Sequence, residues 1–215
     1  MWAIDATQVT TVQHGKVWIF GVAEHWNAEL LGWHVTKRGT RFEAAQALAM
    51  AVRRQFGHLC AGAARGLALR HDHGSTVMAE HVQQQARVWG MSPSHALVGE
   101  PETIGVIERL FRTLKEQAIH GRVFQTIDEV RDAVRDLAAR YNALWLIETN
   151  GTLSPSDARA ARLDTTFRRA ASCNRMSGKR GAVHEEFRGI AMSYEKTARN
   201  FLATVCVSSA STYRA

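Results

Sequence analysis

Over the first 36 positions the apolar residues fall in short runs rich in β-branched and aromatic side chains, broken by Gly, His and Asn. Three such runs, Met1–Thr7, Lys16–Ala23 (KVWIFGVA) and Leu30–Thr36 (LLGWHVT), predict three strands joined as a meander. After Thr40 the period changes. Ala44, Ala47, Leu48, Ala51 and Val52 recur on one side of a helix that runs to about Phe56, with Thr40 and Glu43 as a capping box at its start and Gly57 as its stop. A Gly-rich connection leads to a short apolar strand at Gly66–Arg70, then a helix over Val77–Trp89 and an extended segment over Gly90–Leu97. Thr126 with Glu129 forms a second capping box, opening a helix to about Trp145 whose inner face carries Val130, Val134, Leu137 and Tyr141.

Between these lies the stretch with the sharpest pattern, GEPETIGVIERLFRTLKEQ (Gly99–Gln117). Ile107, Leu110, Phe111, Leu114 and Ala118 trace one face of a 3.6-residue period. Pro101 suits the first turn, and Glu100 and Glu102 suit the positive end of the helix dipole. The order strand, strand, strand, helix, strand, helix, strand, helix predicts an α/β fold, a mixed sheet flanked by helices.

Composition adds a partner class. The 215-residue chain is 46% hydrophobic and 22% charged, enough for one sizeable core, and its net charge of +7 favours a polyanion, nucleic acid first. Cys60, Cys173 and Cys206 are widely spaced with no C-x-x-C, so neither a disulfide framework nor a zinc site is indicated. No 18-residue apolar segment is present, so no membrane partner is expected and a cytoplasmic, nucleoid-associated protein is.

Candidate chemistry comes from three acids. Glu108 and Lys115 are seven residues apart, nearly two turns, and project from the same side of their helix. Asp72, in LRHDHGS, sits just past the end of a predicted strand, where α/β folds concentrate functional groups, although D-H-G-S is also ordinary turn chemistry. Thirty-five residues (73 to 107) separate it from Glu108, and Asp5 lies in WAIDAT within the first strand.

WAIDAT, LRHDHGS and GEPETIGVIERLFRTLKEQ, with that spacing, resemble the acidic motifs of the retroviral-integrase-like (rve) core of bacterial insertion-sequence DDE transposases. YNALWLIETNGTLSPSDA (141–158) resembles the same family's terminal YN…WLIE…TP segment. The resemblance implies a ribonuclease H-like core over residues 1–160. It implies a metal-dependent polynucleotidyl transferase with Asp5, Asp72 and Glu108 as catalytic, metal-binding acids. Two Mg²⁺ (or Mn²⁺) ions about 3.5–4 Å apart would stabilise the attacking and leaving oxygens of phosphodiester cleavage and strand transfer. It implies DNA as partner, both element ends and target, bound by a homo-oligomer. Lys115, with Arg109, Arg112 and Arg122 extending a positive surface, would contact phosphates.

The chain also departs from that family. Ile104 stands where an Asn or Gln is usual, one turn ahead of Glu108, and Glu24 stands where the second strand usually has Asp. The first catalytic strand opens the sequence, ahead of which the family carries a helix-turn-helix region, so a truncated frame is expected. Residues 161–215 are expected to be a basic tail: Arg159–Arg180 holds seven basic residues against Asp164, and the segment from His184 resembles the C-terminus of another transposase group. Two alternatives stay open: an inactive remnant that binds DNA or a partner transposase, and a ribonuclease H-like nuclease for RNA–DNA hybrids.

Overall fold

The computed structural model describes residues 1–71, 80–95 and 105–165. Asp72, Ile104, the Glu100–Pro101–Glu102 helix start and the basic tail beyond 165 lie outside the described residues.

Strands β1 (Trp2–Thr11), β2 (Gly15–Glu24) and β3 (Leu30–Thr36) form the expected antiparallel meander. β1 is longer than its apolar run, because Thr7–Thr11 pairs with β2 through to Gly15. β4 (Ala68–His71) and β5 (Ser92–His95) add in parallel on the other side of β1, giving the order β3-β2-β1-β4-β5.

Strand alternation divides the interior into two cores. Trp2, Ile4, Phe20, Val22 and Leu31 pack against α1 (Arg41–Phe56) and α2 (Glu80–Val88). Ala3, Val9, Val17, Ile19 and Val35 pack against α3 (Gly105–Leu114) and α4 (Ile127–Leu144). Asp5 shares the parity of Ala3 and Val9, so the sheet directs it toward α3.

The helix signals hold with changes at the caps. Gly57, at φ +79°, ends α1 by donating its N–H to the Arg53 carbonyl. Thr40 occupies the N-cap position without a side-chain cap bond: the Glu43 N–H donates to the Thr40 backbone carbonyl (3.1 Å), and the Glu43 carboxylate is held by His34 (Nε2 to Oε2, 2.6 Å). At α4, Thr126 Oγ1 accepts from the Glu129 N–H at 3.4 Å, but Glu129 reaches back to the N–H of Gln125 (2.7 Å), one residue before the cap.

The segment after α4 is tied to the β2–β3 turn. Asn142 Oδ1 accepts from the Leu30 N–H and its Nδ2 donates to the Leu30 carbonyl, both at 2.9 Å. Ser154 caps the last described helix, α5 (155–165), accepting from the Asp157 N–H (3.1 Å) with Pro155 in its first turn. Asn27 donates to the Pro155 carbonyl (2.9 Å), and buried Glu29 pairs with both Arg54 and Arg159. The YN…SP segment therefore works as a clamp on the turn between β2 and β3.

Candidate active-site cleft

The apolar face of α3 fixes the site. Ile107, Leu110, Phe111 and Leu114 are buried against the sheet, which turns Glu108, Arg109 and Arg112 outward to solvent. Past Leu114 the helix widens into π turns over Lys115–Ile119, where the Lys115 carbonyl accepts from the His120 N–H at 2.7 Å. Such widened turns concentrate at functional sites.

Asp5 and Glu108 line one open cleft of about 380 Å³, together with Arg112, Lys115, Glu116 and His120. The two acids come from the first strand and the third described helix, so tertiary packing alone brings them together. One carboxylate oxygen of Asp5 accepts from the Ala6 N–H at 2.7 Å. β4 ends at His71, one residue before Asp72, in the strand hydrogen-bonded to β1. Among the described residues no three His, Cys, Asp or Glu side chains are gathered closely enough to hold an ion. Two carboxylates are nevertheless a hard-oxygen donor set suited to Mg²⁺, with the third predicted acid outside the described residues.

No family model matches the chain. The putative transposase InsD of insertion element IS2E from Escherichia coli (strain K12) is 29% identical over 154 residues, 71% of this chain and 65% of that protein. The transposase InsD of insertion element IS2A/D/F/H/I/K from Escherichia coli is also 29% identical over 154 residues, but these are 47% of its length. The chain thus spans from about half to just under two thirds of these curated relatives. Among solved structures, the catalytic core domain of BIV integrase matches with a TM-score of 0.55 at 18% identity, covering 77% of this chain and 97% of that one. The HTLV-2 integrase catalytic core domain, in a trimeric form in complex with magnesium, matches with a TM-score of 0.54 at 14% identity, covering 73% and 93%. The chain is thus similar in sequence to InsD transposases and has the fold of an integrase catalytic core. Its mixed sheet with flanking helices is the ribonuclease H-like arrangement expected from the sequence.

The fold distributes the predicted cations unequally. Lys115 lines the acid-bearing cleft, and Arg112 lines both it and a second, larger groove of about 1030 Å³. Arg109 belongs to that second groove only, its Nε donating to the Gly105 carbonyl at 3.0 Å. Arg122 lines neither. It lies past the π turns, stacks over Phe124 (4.9 Å) and reaches back to the Ala118 carbonyl within them. Glu24 is buried and accepts from the Trp2 indole N–H (3.0 Å) and the His25 N–H (3.1 Å), so it ties the end of β2 to the start of β1.

Sequence reasoning missed Glu116 and His120. Glu116 was legible, since it follows Glu108 and Arg112 at helical spacing. His120 was not, because its place depends on the π turns, for which the sequence carries no simple signal. The second groove was missed because three distant segments build it: the β2–β3 turn, the outer side of α3 and the end of α4. Among the described residues, no helix is long and apolar enough to cross a membrane.

Proposed function

We propose that this chain is the catalytic core of a transposase, a polynucleotidyl transferase that cuts and joins DNA strands. The observation that carries the reading is the meeting of Asp5 and Glu108 in one cleft flanked by Arg112 and Lys115. Carboxylates and cations side by side are what phosphodiester chemistry uses: hard oxygen ligands for a divalent ion, and positive groups for the backbone being cut. Asp5, Glu108 and Asp72 would hold divalent cations, Mg²⁺ or Mn²⁺, and a solved neighbour of the same fold contains magnesium. When bound, such ions lower the pKa of a water and offset charge on the departing oxygen.

The chain's own residues supply placement. Lys115 and Arg112 hold the phosphates on either side of the scissile bond, and Arg109 extends this grip along α3. Water adds to phosphorus, the 3′-oxygen leaves with a proton, and the released 3′-hydroxyl attacks a target phosphodiester in the same way. A homo-oligomer would bring two ends together, in keeping with the trimeric form of one neighbour and the intasome of another.

A second reading is a core that binds DNA without cutting it, favoured by Ile104, an aliphatic side chain in the sequence where the resembling transposases carry an amide. Nicking of labelled duplex DNA in Mn²⁺ or Mg²⁺ separates the two. The catalytic reading expects metal-dependent nicking that Glu108→Gln abolishes. Binding without nicking, gained only on Ile104→Asn, would establish the second.

A further inference from the structure

The larger groove begins where the acid-bearing cleft ends, because Glu108 and Arg112 line both. Its far wall is aromatic: Trp26 on the β2–β3 turn, and Tyr141 and Trp145 at the end of α4. Tyr141 is buried, while Trp145 is 39% exposed and stacks on it with ring centroids 6.1 Å apart. Trp26 is 36% exposed, with the guanidinium of Arg162 4.6 Å from its ring centre. Trp26, Trp145 and exposed Leu146 line one groove, so their apolar surface is gathered rather than scattered singly. Arg109 and Arg112, on α3, supply positive charge to the same groove.

Aromatic faces interleaved with arginines are the recurring way proteins hold an unpaired nucleic-acid strand: bases stack on the rings and phosphates pair with the guanidinium groups. A duplex buries its base faces in its own stack and offers the rings nothing. We infer that this groove holds a few unpaired nucleotides of the DNA strand that passes Glu108, with Trp145 and Trp26 as stacking platforms and Arg109 and Arg112 on the backbone. The inference rests on the proposed DNA-cutting role for the choice of strand. It adds that the chain separates the strands beside the point of cutting. A volume of about 1030 Å³ suits a short run of nucleotides rather than a single base or a double helix.

The test is binding by the full chain, in EDTA, of fluorescein-labelled oligothymidylate and of a duplex of equal length, read by anisotropy. Stacking is worth about 1–3 kcal/mol per base, so Trp145→Ala and Trp26→Ala should each weaken single-strand binding about 5- to 150-fold. Trp145→Phe should restore most of it, and duplex binding should stay within about threefold. Circular dichroism confirms that each variant is folded. Wild-type affinity for the single strand in both alanine variants would overturn the inference. So would a shift from dimer to monomer in Trp145→Ala with DNA binding unchanged, which would make the groove a contact between chains. Nicking is scored separately: if Glu108→Gln still nicks while the tryptophan variants lose the single strand, the catalytic reading fails and the groove stands. If Glu108→Gln abolishes nicking while the tryptophan variants bind normally, only the groove fails.

Discussion

Phe111 rests on Gly21. A Cβ built at Gly21 would lie 3.1 Å from Phe111 Cζ, and Gly21 is the residue paired with Asp5 across β1 and β2. The ring of Phe111 on α3 thus sits on a mid-strand position of β2 that has no side chain, directly beside the strand acid. One turn earlier on the same helix is Glu108. This contact is one of those that hold α3 against the sheet beside the two acids.

Gly21→Ala should therefore act on the site more than on the fold. The neighbour must give by a few tenths of an ångström, and overpacking of this size costs about 1–3 kcal/mol. We expect a modest fall in the urea midpoint and a disproportionate loss of metal-dependent nicking. Gly32→Ala is the control, because its Cβ would lie 2.3 Å from the Ala47 carbonyl oxygen, a backbone clash with α1 on the opposite face. It should unfold the chain at lower urea than Gly21→Ala. Equal activity per folded molecule in Gly21→Ala and wild type would show that the contact does not set the site.

Most of the fold was legible because most of it is local pattern. The β2 and β3 runs, the α1 periodicity with Gly57, and the buried stripe of α3 each follow from residues within one element. What failed to read were choices between competing partners. The Glu43 carboxylate had Thr40 as its local partner and His34 as its tertiary one, and the tertiary bond at 2.6 Å prevailed. Arg109 and Arg112 look equivalent in sequence, yet three residues of helix send one to the aromatic groove and let the other line both cavities. The resemblance proposed Asp5, Asp72 and Glu108 as a set, whereas the meeting of Asp5 with Glu108 in one cleft is a product of packing.

Asn142 should be more sensitive than its neutral chemistry suggests. Its amide lies 3% exposed and completes both backbone groups of Leu30, where β3 begins. Asn142→Ala strips the partner from a buried N–H, a change worth about 1–3 kcal/mol. Asn142→Asp keeps the acceptor but buries a charge, so its stability should be greatest at acid pH, where the carboxyl is neutral. Thermal melts across pH 4 to 8 check both. A flat profile for Asn142→Asp would mean that the side chain leaves its site.

Glu29 carries the clamp between the β2–β3 turn and α5. It is 5% exposed and faces two guanidiniums, Arg54 at 3.4 Å and Arg159. Burial lowers the Arg54 pKa, Glu29 opposes that shift, and neighbouring Arg159 adds to it. Removing one member of such a buried group costs about 3–5 kcal/mol, because the rest stay desolvated without compensation. Glu29→Ala should thus be strongly destabilising. Arg159→Ala should cost less, since Glu29 retains Arg54, but it should loosen the turn bearing Trp26 and weaken single-strand binding with duplex binding preserved. Equal losses on both substrates in Arg159→Ala would detach the clamp from the groove.

Tyr141 gives the fold a dependence on alkaline pH. Burial pushes its phenol up to about 12 from an ordinary 10, with Arg109 partly opposing the rise. The neutral form is the one the folded state accommodates. The stabilisation from this group is therefore fully present below pH 10, where the unfolded chain also holds the proton. It is lost as pH climbs from 10 through 12, because the unfolded chain ionises first. Two pKa units set its size at about 2–3 kcal/mol at most. Tyr141→Phe removes the titration while keeping the ring that stacks on Trp145, so the difference in unfolding free energy between wild type and variant should be constant below pH 10. Above it, wild type should fall relative to Tyr141→Phe. Parallel curves for the two proteins from pH 8 to 11.5 would show that Tyr141 ionises as freely in the folded chain as in the unfolded one, and that the groove's inner wall is wet.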